Sequence, residues 1–164
     1  MKVCYPGTFD PITKGHLDII ERASKQFDEV VVLVMSNPNK KSLFSKDERK
    51  ELIENTLEEV GGLQNVKVVV GEGLTVEMAK ELGATALIRG IRAVSDYEYE
   101  LQQATANMAL DENIETIFMI AKPKYSFLSS SIVKEIAHYD GDISEFIPSC
   151  IIDDVMKKMN GETE

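Results

Sequence analysis

Residues 5–20 read YPGTFDPITKGHLDII. Val3, Cys4 and Tyr5 form a short apolar strand leading into this stretch. Leu17, Ile20, Ala23 and Phe27 leave it at helical spacing, which predicts a helix from about Gly15 to Gln26 with His16 in its first turn. A strand, a turn rich in Pro, Gly and Asp, and a helix start together make an anion site. Backbone N–H groups in the first turn of a helix lack intrahelical acceptors and sit at the positive end of its dipole. Gly7 and Gly15 let backbone approach a ligand, Pro6 and Pro11 stiffen the turn, and Thr8 and His16 add two side-chain donors. Asp10 reads as the residue of an Asp-Pro turn, with approach to a metal as the alternative. The spacing is neither that of a P-loop nor that of a dinucleotide fingerprint.

Around this stretch, 164 residues predict a single domain, 1–164, able to bury a core without cross-links. With 43% hydrophobic and 28% charged residues the composition is that of a globular protein. The longest apolar run, Val30 to Met35, is far too short to cross a bilayer, and the first residues enter a strand without a signal-peptide pattern. A soluble, cytoplasmic protein without a membrane partner is expected. Cys4 and Cys150 read as buried, reduced thiols, and two histidines leave a histidine-based zinc site almost without ligands. A net charge of −10 argues against a nucleic-acid partner. An acidic chain that binds polyphosphate must concentrate its positive charge, and of four arginines Arg89 and Arg92 stand three residues apart.

Val30 to Met35 reads as a parallel strand covered on both faces. The polar loop 36–44 follows at its carboxyl end, with Lys40 and Lys41 placed beside the first loop; the alternative is two solvated lysines. Ser45 to Glu48 is a capping box, and Leu52, Ile53, Thr56, Leu57 and Val60 carry a helix, read as scaffold, to Gly61 and Gly62. Val66 to Val70 is a third strand, and a short helix ends at Gly83 with Leu74 and Thr75 on the rim. A fourth strand ends in Arg89-Gly90-Ile91-Arg92, and a capping box from Ser95 to Glu98 opens a helix with Leu101, Ala104, Met108 and Ala109. Two guanidiniums flanking a glycine suit a phosphate clamp. Pairing with Asp96 or Glu100 is the alternative. After a fifth strand, Thr116 to Ala121, Ser129, Ser130 and Ser131 precede a helix whose apolar side holds Ile132, Val133, Ile136 and Ala137. One serine serves as N-cap, and the three together suit a second polyphosphate cradle. Ser149 to Met159 reads as a last helix, beyond which the acidic tail frays. Every unusual polar cluster falls at a strand's carboxyl end, the pattern of a doubly wound parallel α/β sheet binding polyphosphate across its top.

Thr13-Lys14-Gly15-His16, preceded by GTFDP, resembles the T/HxGH signature of the nucleotidylyltransferase superfamily. RGIRAVSDYEYE, residues 89–100, is similar to the matching segment of the phosphopantetheine adenylyltransferase family. SSSIVKE resembles the superfamily's ISSTxxR motif, with Lys134 where the pattern carries Arg, which agrees with the pantetheine branch and not the cytidylyltransferase branch. The resemblance runs from about Lys2 to Met159. It implies a Rossmann-like domain with a five-stranded parallel sheet, a homohexamer, and adenylyl transfer from ATP to 4′-phosphopantetheine. The products are dephospho-coenzyme A and pyrophosphate, formed by in-line displacement without a covalent intermediate, and Mg²⁺ is held mainly by the ATP phosphates.

Residue by residue, the resemblance makes His16, Thr8 and Lys40 catalytic. Thr8 orients the acceptor phosphate, His16 donates to the α-phosphoryl oxygens, and Lys40 bridges the two. Phosphopantetheine contacts are Thr8, Lys40, Thr75 and Arg89. ATP contacts are Thr8, Phe9, His16, Gly90, Ile91, Arg92, Glu100, Tyr125, Ser126, Phe127, Leu128, Ser129, Ser130 and Ser131. A phosphate monoester, with a second pKa of about 6, needs no general base. His16 has a plainer alternative, a helix-start residue bonded to backbone. The rival functions are transfer to another acceptor, such as nicotinamide mononucleotide or glycerol 3-phosphate, and a non-catalytic ATP sensor.

Overall fold

The computed structural model describes residues 1–161; the acidic tail expected to fray, 162–164, lies outside the described residues. Five parallel strands form one sheet in the order β3-β2-β1-β4-β5: β1 Lys2–Gly7, β2 Glu29–Val34, β3 Val66–Val70, β4 Ala86–Ile91 and β5 Glu115–Ile120. Between them run α1 Lys14–Ser24, α2 Lys46–Glu59, α3 Thr75–Glu81 and α4 Val94–Leu110; α5 Ser130–His138 and α6 Ile152–Met159 follow. The Rossmann-like doubly wound sheet expected from the sequence is present. Among the described residues no helix is long and apolar enough to cross a membrane.

Strand order reverses between β1 and β4, and there the sheet splits. β1 pairs with β2 along its whole length, Lys2↔Glu29 to Gly7↔Val34, but with β4 only at Val3↔Ala86 and Cys4↔Leu87. Pro6, which has no N–H to give a ladder, stands just past the last pair. Its carbonyl accepts instead from Arg89 Nη1 at 3.0 Å. The parted carboxyl halves of β1 and β4 leave a crevice at the topological switch point, where sheets of this kind bind ligands.

Alternation along the buried strands sends Val3, Tyr5, Val30, Val32 and Val34 to one face, where they pack with residues of α1, α2, α5 and α6. Cys4, Val31 and Leu87 face the other side, against Val76 and Ala79 of α3. Next to α3, α4 lies along β4 and β5. Of the apolar side expected for α4 only Ala104 is buried, while Leu101 and Met108 are exposed, as are Val94, Tyr99, Leu110 and the neighbouring Ile120 of β5. Helical spacing marks an apolar face without saying what covers it, and nothing among the described residues covers this one.

Three local expectations are corrected. α4 begins at Val94 with Ala93 as N-cap and no side-chain cap, so Ser95 opens no capping box; Asp96 instead accepts from the Arg92 N–H at 3.2 Å. The last helix is broken into a 3-10 turn, Ser149–Ile151, and α6, because the chain enters it from Pro148 in an extended conformation. Cys4 is buried but Cys150 is exposed, on that same turn at the domain surface.

Candidate active site

A cavity of about 460 Å³ opens at the switch point, walled by the β1–α1 loop, the loop after β2, the carboxyl end of β4 and the start of α5. Its floor is the first loop. A Cβ on Gly7 would stand 2.9 Å from Cζ of Phe9, so only glycine lets that ring fold back under the loop. Phe9 is fully buried with φ +48°, the Asp10–Pro11 peptide is cis, and the Phe9 ring meets Tyr5 and His16 edge-on at 5.4 and 5.0 Å. Thr8, the residue before it, lines the cavity.

Thr13 caps α1 in a reciprocal box: its Oγ1 accepts the His16 N–H at 3.3 Å, and the Thr13 N–H donates to His16 Nδ1 at 3.1 Å. A ring nitrogen that accepts a backbone N–H carries no proton, so the neutral ring holds its proton on Nε2. Burial, then Arg92 and Arg89, push the His16 pKa down to about 4. The imidazole is therefore neutral at pH 7 and offers one donor, Nε2–H. The plainer sequence reading of His16 is met, since the backbone bond exists, and that bond orients a ring that lines the cavity.

The two arginines line the cavity with their forks occupied. Arg89 donates through Nε and Nη2 to both oxygens of Glu100, the latter bond 2.8 Å long. Arg92 donates to Asp96 at 2.9 and 3.1 Å and to the Leu128 carbonyl at 2.7 Å. The pairing foreseen as the alternative to a phosphate clamp is thus present in both. Glu100 lines the cavity as the partner of Arg89. Lys40, Lys41 and Ser42 reach its rim from the loop after β2, where they are exposed.

At α5, Ser129 is the N-cap, accepting the Ile132 N–H at 3.2 Å. Ser130 donates to the Pro11 carbonyl at 2.7 Å, which leaves the Ser131 hydroxyl and the N–H groups of Ser130 and Ser131 on the cavity wall without intrahelical partners. Gly90, Tyr125 and Leu128 also line it, whereas Thr75, Ile91, Ser126 and Phe127 stand outside its wall. Thr75 begins α3, Ile91 is buried, and Phe127 packs on Phe146 at 5.8 Å.

Two residues given no role in the sequence reading belong to this region. Lys134 lines the cavity and pairs with Asp10 at 3.2 Å. The signal was its place four residues after Ser130, one turn along the same helix face. Asp10 is buried, and its other bonds come from the N–H groups of Leu43 and Phe44 at 2.8 and 2.9 Å. Arg49 is buried beneath the loop after β2. It falls on the stripe of Leu52, Ile53, Thr56 and Leu57, which marked it as facing inward. Among the described residues no three His, Cys, Asp or Glu converge on a metal position.

A cytidylyltransferase-like family model matches residues 4–136. The chain is 52% identical over 159 residues to a phosphopantetheine adenylyltransferase of Finegoldia magna, covering 97% of this chain and 96% of that one. A protein of the same name from Lachnoclostridium phytofermentans is 53% identical over 158 residues, covering 96% and 95%. In fold it is similar to the Plasmodium falciparum nicotinic acid mononucleotide adenylyltransferase complexed with NaAD, with a TM-score of 0.70 at 18% identity over 95% of both chains.

Proposed function

The chain belongs to the cytidylyltransferase-like family and, within it, to the phosphopantetheine adenylyltransferases, and from that membership we propose how its cavity works. The enzyme transfers the adenylyl group of ATP to 4′-phosphopantetheine, forming dephospho-coenzyme A and pyrophosphate. An oxygen of the acceptor phosphate attacks the α-phosphorus in line, the bond to the β-phosphate oxygen breaks, and no covalent intermediate forms. The acceptor follows from identity above 50% over nearly the whole chain. The observation that carries the mechanism is the Thr13 N–H donated to His16 Nδ1 in the cavity wall, a bond that in a neutral ring leaves the proton on Nε2.

With an acceptor already ionised near neutral pH, catalysis reduces to alignment and to placing donors where negative charge develops. In this reading Thr8 orients the acceptor phosphate, and His16 donates from Nε2 to the α-phosphoryl oxygens. Lys40 reaches in from the rim to bridge acceptor and α-phosphate. Arg89, with Thr75 beyond the wall, holds phosphopantetheine. Phe9, Gly90, Ile91, Arg92, Glu100 and residues 125–131 hold ATP, its phosphates at Arg92 and at the start of α5. Both arginines exchange carboxylate partners for phosphate, since a dianion attracts a guanidinium more strongly than a monoanionic carboxylate does. Asp10 has its oxygens committed to two backbone N–H groups and Lys134, and Thr8 and Ser131 are hydroxyls on the cavity wall that would be available to Mg²⁺. Mg²⁺ brought in with the nucleotide would be held mainly by the ATP phosphates, and would supply positive charge there.

The uncovered apolar face of α4 and β5 supports assembly of copies of the chain, in this reading a homohexamer. The use of ATP supports a cytoplasmic setting. The test is pyrophosphate release from ATP and Mg²⁺ with 4′-phosphopantetheine, with unphosphorylated pantetheine and nicotinamide mononucleotide as controls. Release with the phosphorylated pantetheine alone is expected. Release with nicotinamide mononucleotide instead would move the acceptor, and ATP binding without any release would make the protein a sensor.

A further inference from the structure

Arg49 stands outside the cavity wall, with 2% of its surface exposed, yet it touches three parts of the chain that frame the cavity. Its Nη1 donates to the Thr8 carbonyl at 2.7 Å and to the Met35 carbonyl at 2.9 Å, and its Nε to the Ser45 carbonyl at 3.2 Å. Met35 and Ser45 are the two feet of loop 36–44, which carries Lys40, and Thr8 is the loop residue opposite. One planar guanidinium thus spans both feet and the floor. Asp10 fastens the same loop from the other side through the Leu43 and Phe44 N–H groups, and the Met35 N–H donates to the Gly7 carbonyl at 2.8 Å.

Holding a guanidinium out of water is costly, and burial lowers the pKa of this one. An apolar side chain would fill the same place on the α2 stripe with less penalty. What it would not do is satisfy three carbonyls at fixed mutual positions, and a lysine, a point charge on a flexible stem, lacks the fork for that. We propose that Arg49 is a positioning residue for adenylyl transfer: it holds the loop bearing Lys40 in register with Thr8 across the cavity. The proposal rests on the reading of Lys40 and Thr8 given above.

A double-mutant cycle between Arg49→Lys and Lys40→Ala tests it, with pyrophosphate release and Tm measured on the full chain. Arg49→Lys alone is expected to lower kcat/KM for phosphopantetheine roughly 10–100-fold, the scale of a misplaced reacting group, with the KM for ATP within about threefold of wild type. With Lys40 already alanine, the same substitution is expected to change kcat/KM by under about threefold, because the loop has lost what it positions. Equal losses in both backgrounds, or a lowered Tm with unchanged kinetics, would overturn the proposal and leave Arg49 a packing residue. Should Arg49→Lys fail to fold, Asp10→Asn frees the loop from its other side and enters the same cycle. A wild-type protein that releases no pyrophosphate with phosphopantetheine would overturn the functional reading itself, and this role with it.

Discussion

The mechanism proposed above gives His16 two tasks that substitution can separate. Its Nδ1 accepts the Thr13 N–H and completes the α1 capping box, and in that mechanism its Nε2 offers its proton to the transition state. His16→Ala removes both. His16→Asn sets an amide oxygen where Nδ1 stands but has no atom at the place of Nε2. Loss of one preorganised donor to developing oxyanion charge is worth about 3–4 kcal/mol, or roughly 10²–10³ in kcat. Loss of the cap bond costs about 1 kcal/mol, a Tm shift of about 2–4 °C for a chain of this size. Both variants are therefore expected to lose roughly 10²–10³ in kcat with modest change in KM, while only the alanine variant loses Tm. Steady-state pyrophosphate release and thermal unfolding, run on the same preparations, measure the two effects. If asparagine restores kcat to within about threefold of wild type, His16 works as a cap that shapes the loop, and its role as a donor is refuted.

Arg89→Ala is expected to raise the KM for phosphopantetheine roughly 10–100-fold by removing charge-assisted bonds; a defect confined to ATP would mean that Arg89 and Arg92 have exchanged roles. Gly7→Ala drives a Cβ to 2.9 Å from Phe9, whose ring packs on His16, and should lower kcat at least tenfold with a smaller proportional effect on ATP binding; unchanged kcat would show that the Phe9 ring yields freely. The His16 pKa, depressed to about 4 in the folded protein against about 6.5 unfolded, makes a stability contribution that is complete above pH 6.5 and lost as pH falls towards 4. Between pH 7 and pH 5 the wild type should lose of order 1–2 kcal/mol relative to His16→Asn, the lower figure reflecting water in the cavity. Unfolding curves that run parallel across that range would contradict a neutral, half-buried ring.

Much of this was legible in the chain itself because it is local. The third strand lies where its β-branched run is, and the Ser45–Glu48 box caps α2 as read. The polar clusters did fall on one rim, since a parallel sheet puts every strand's carboxyl end on the same side. Arg49 was legible too, as a charged residue on an apolar stripe that otherwise reads as scaffold. The α4 start was not legible: the helix begins at Val94, one residue before Ser95, and Asp96 turns to Arg92, accepting an N–H that lies outside the helix.

By itself the sequence determined periodicities, caps and the order of motifs, which depend on residues a few positions apart and on backbone geometry they share. Folding in three dimensions decided the rest: the split between β1 and β4 beyond Pro6, the choice of Glu100 for Arg89 and Asp96 for Arg92, and the uncovered face of α4. It also brought Arg49 to Thr8 across 41 positions and Lys134 to Asp10 across 124. Such contacts follow from how strands cross over and helices lie on the sheet, and a carboxylate or carbonyl carries no mark in the sequence of the distant donor that packing will bring to it.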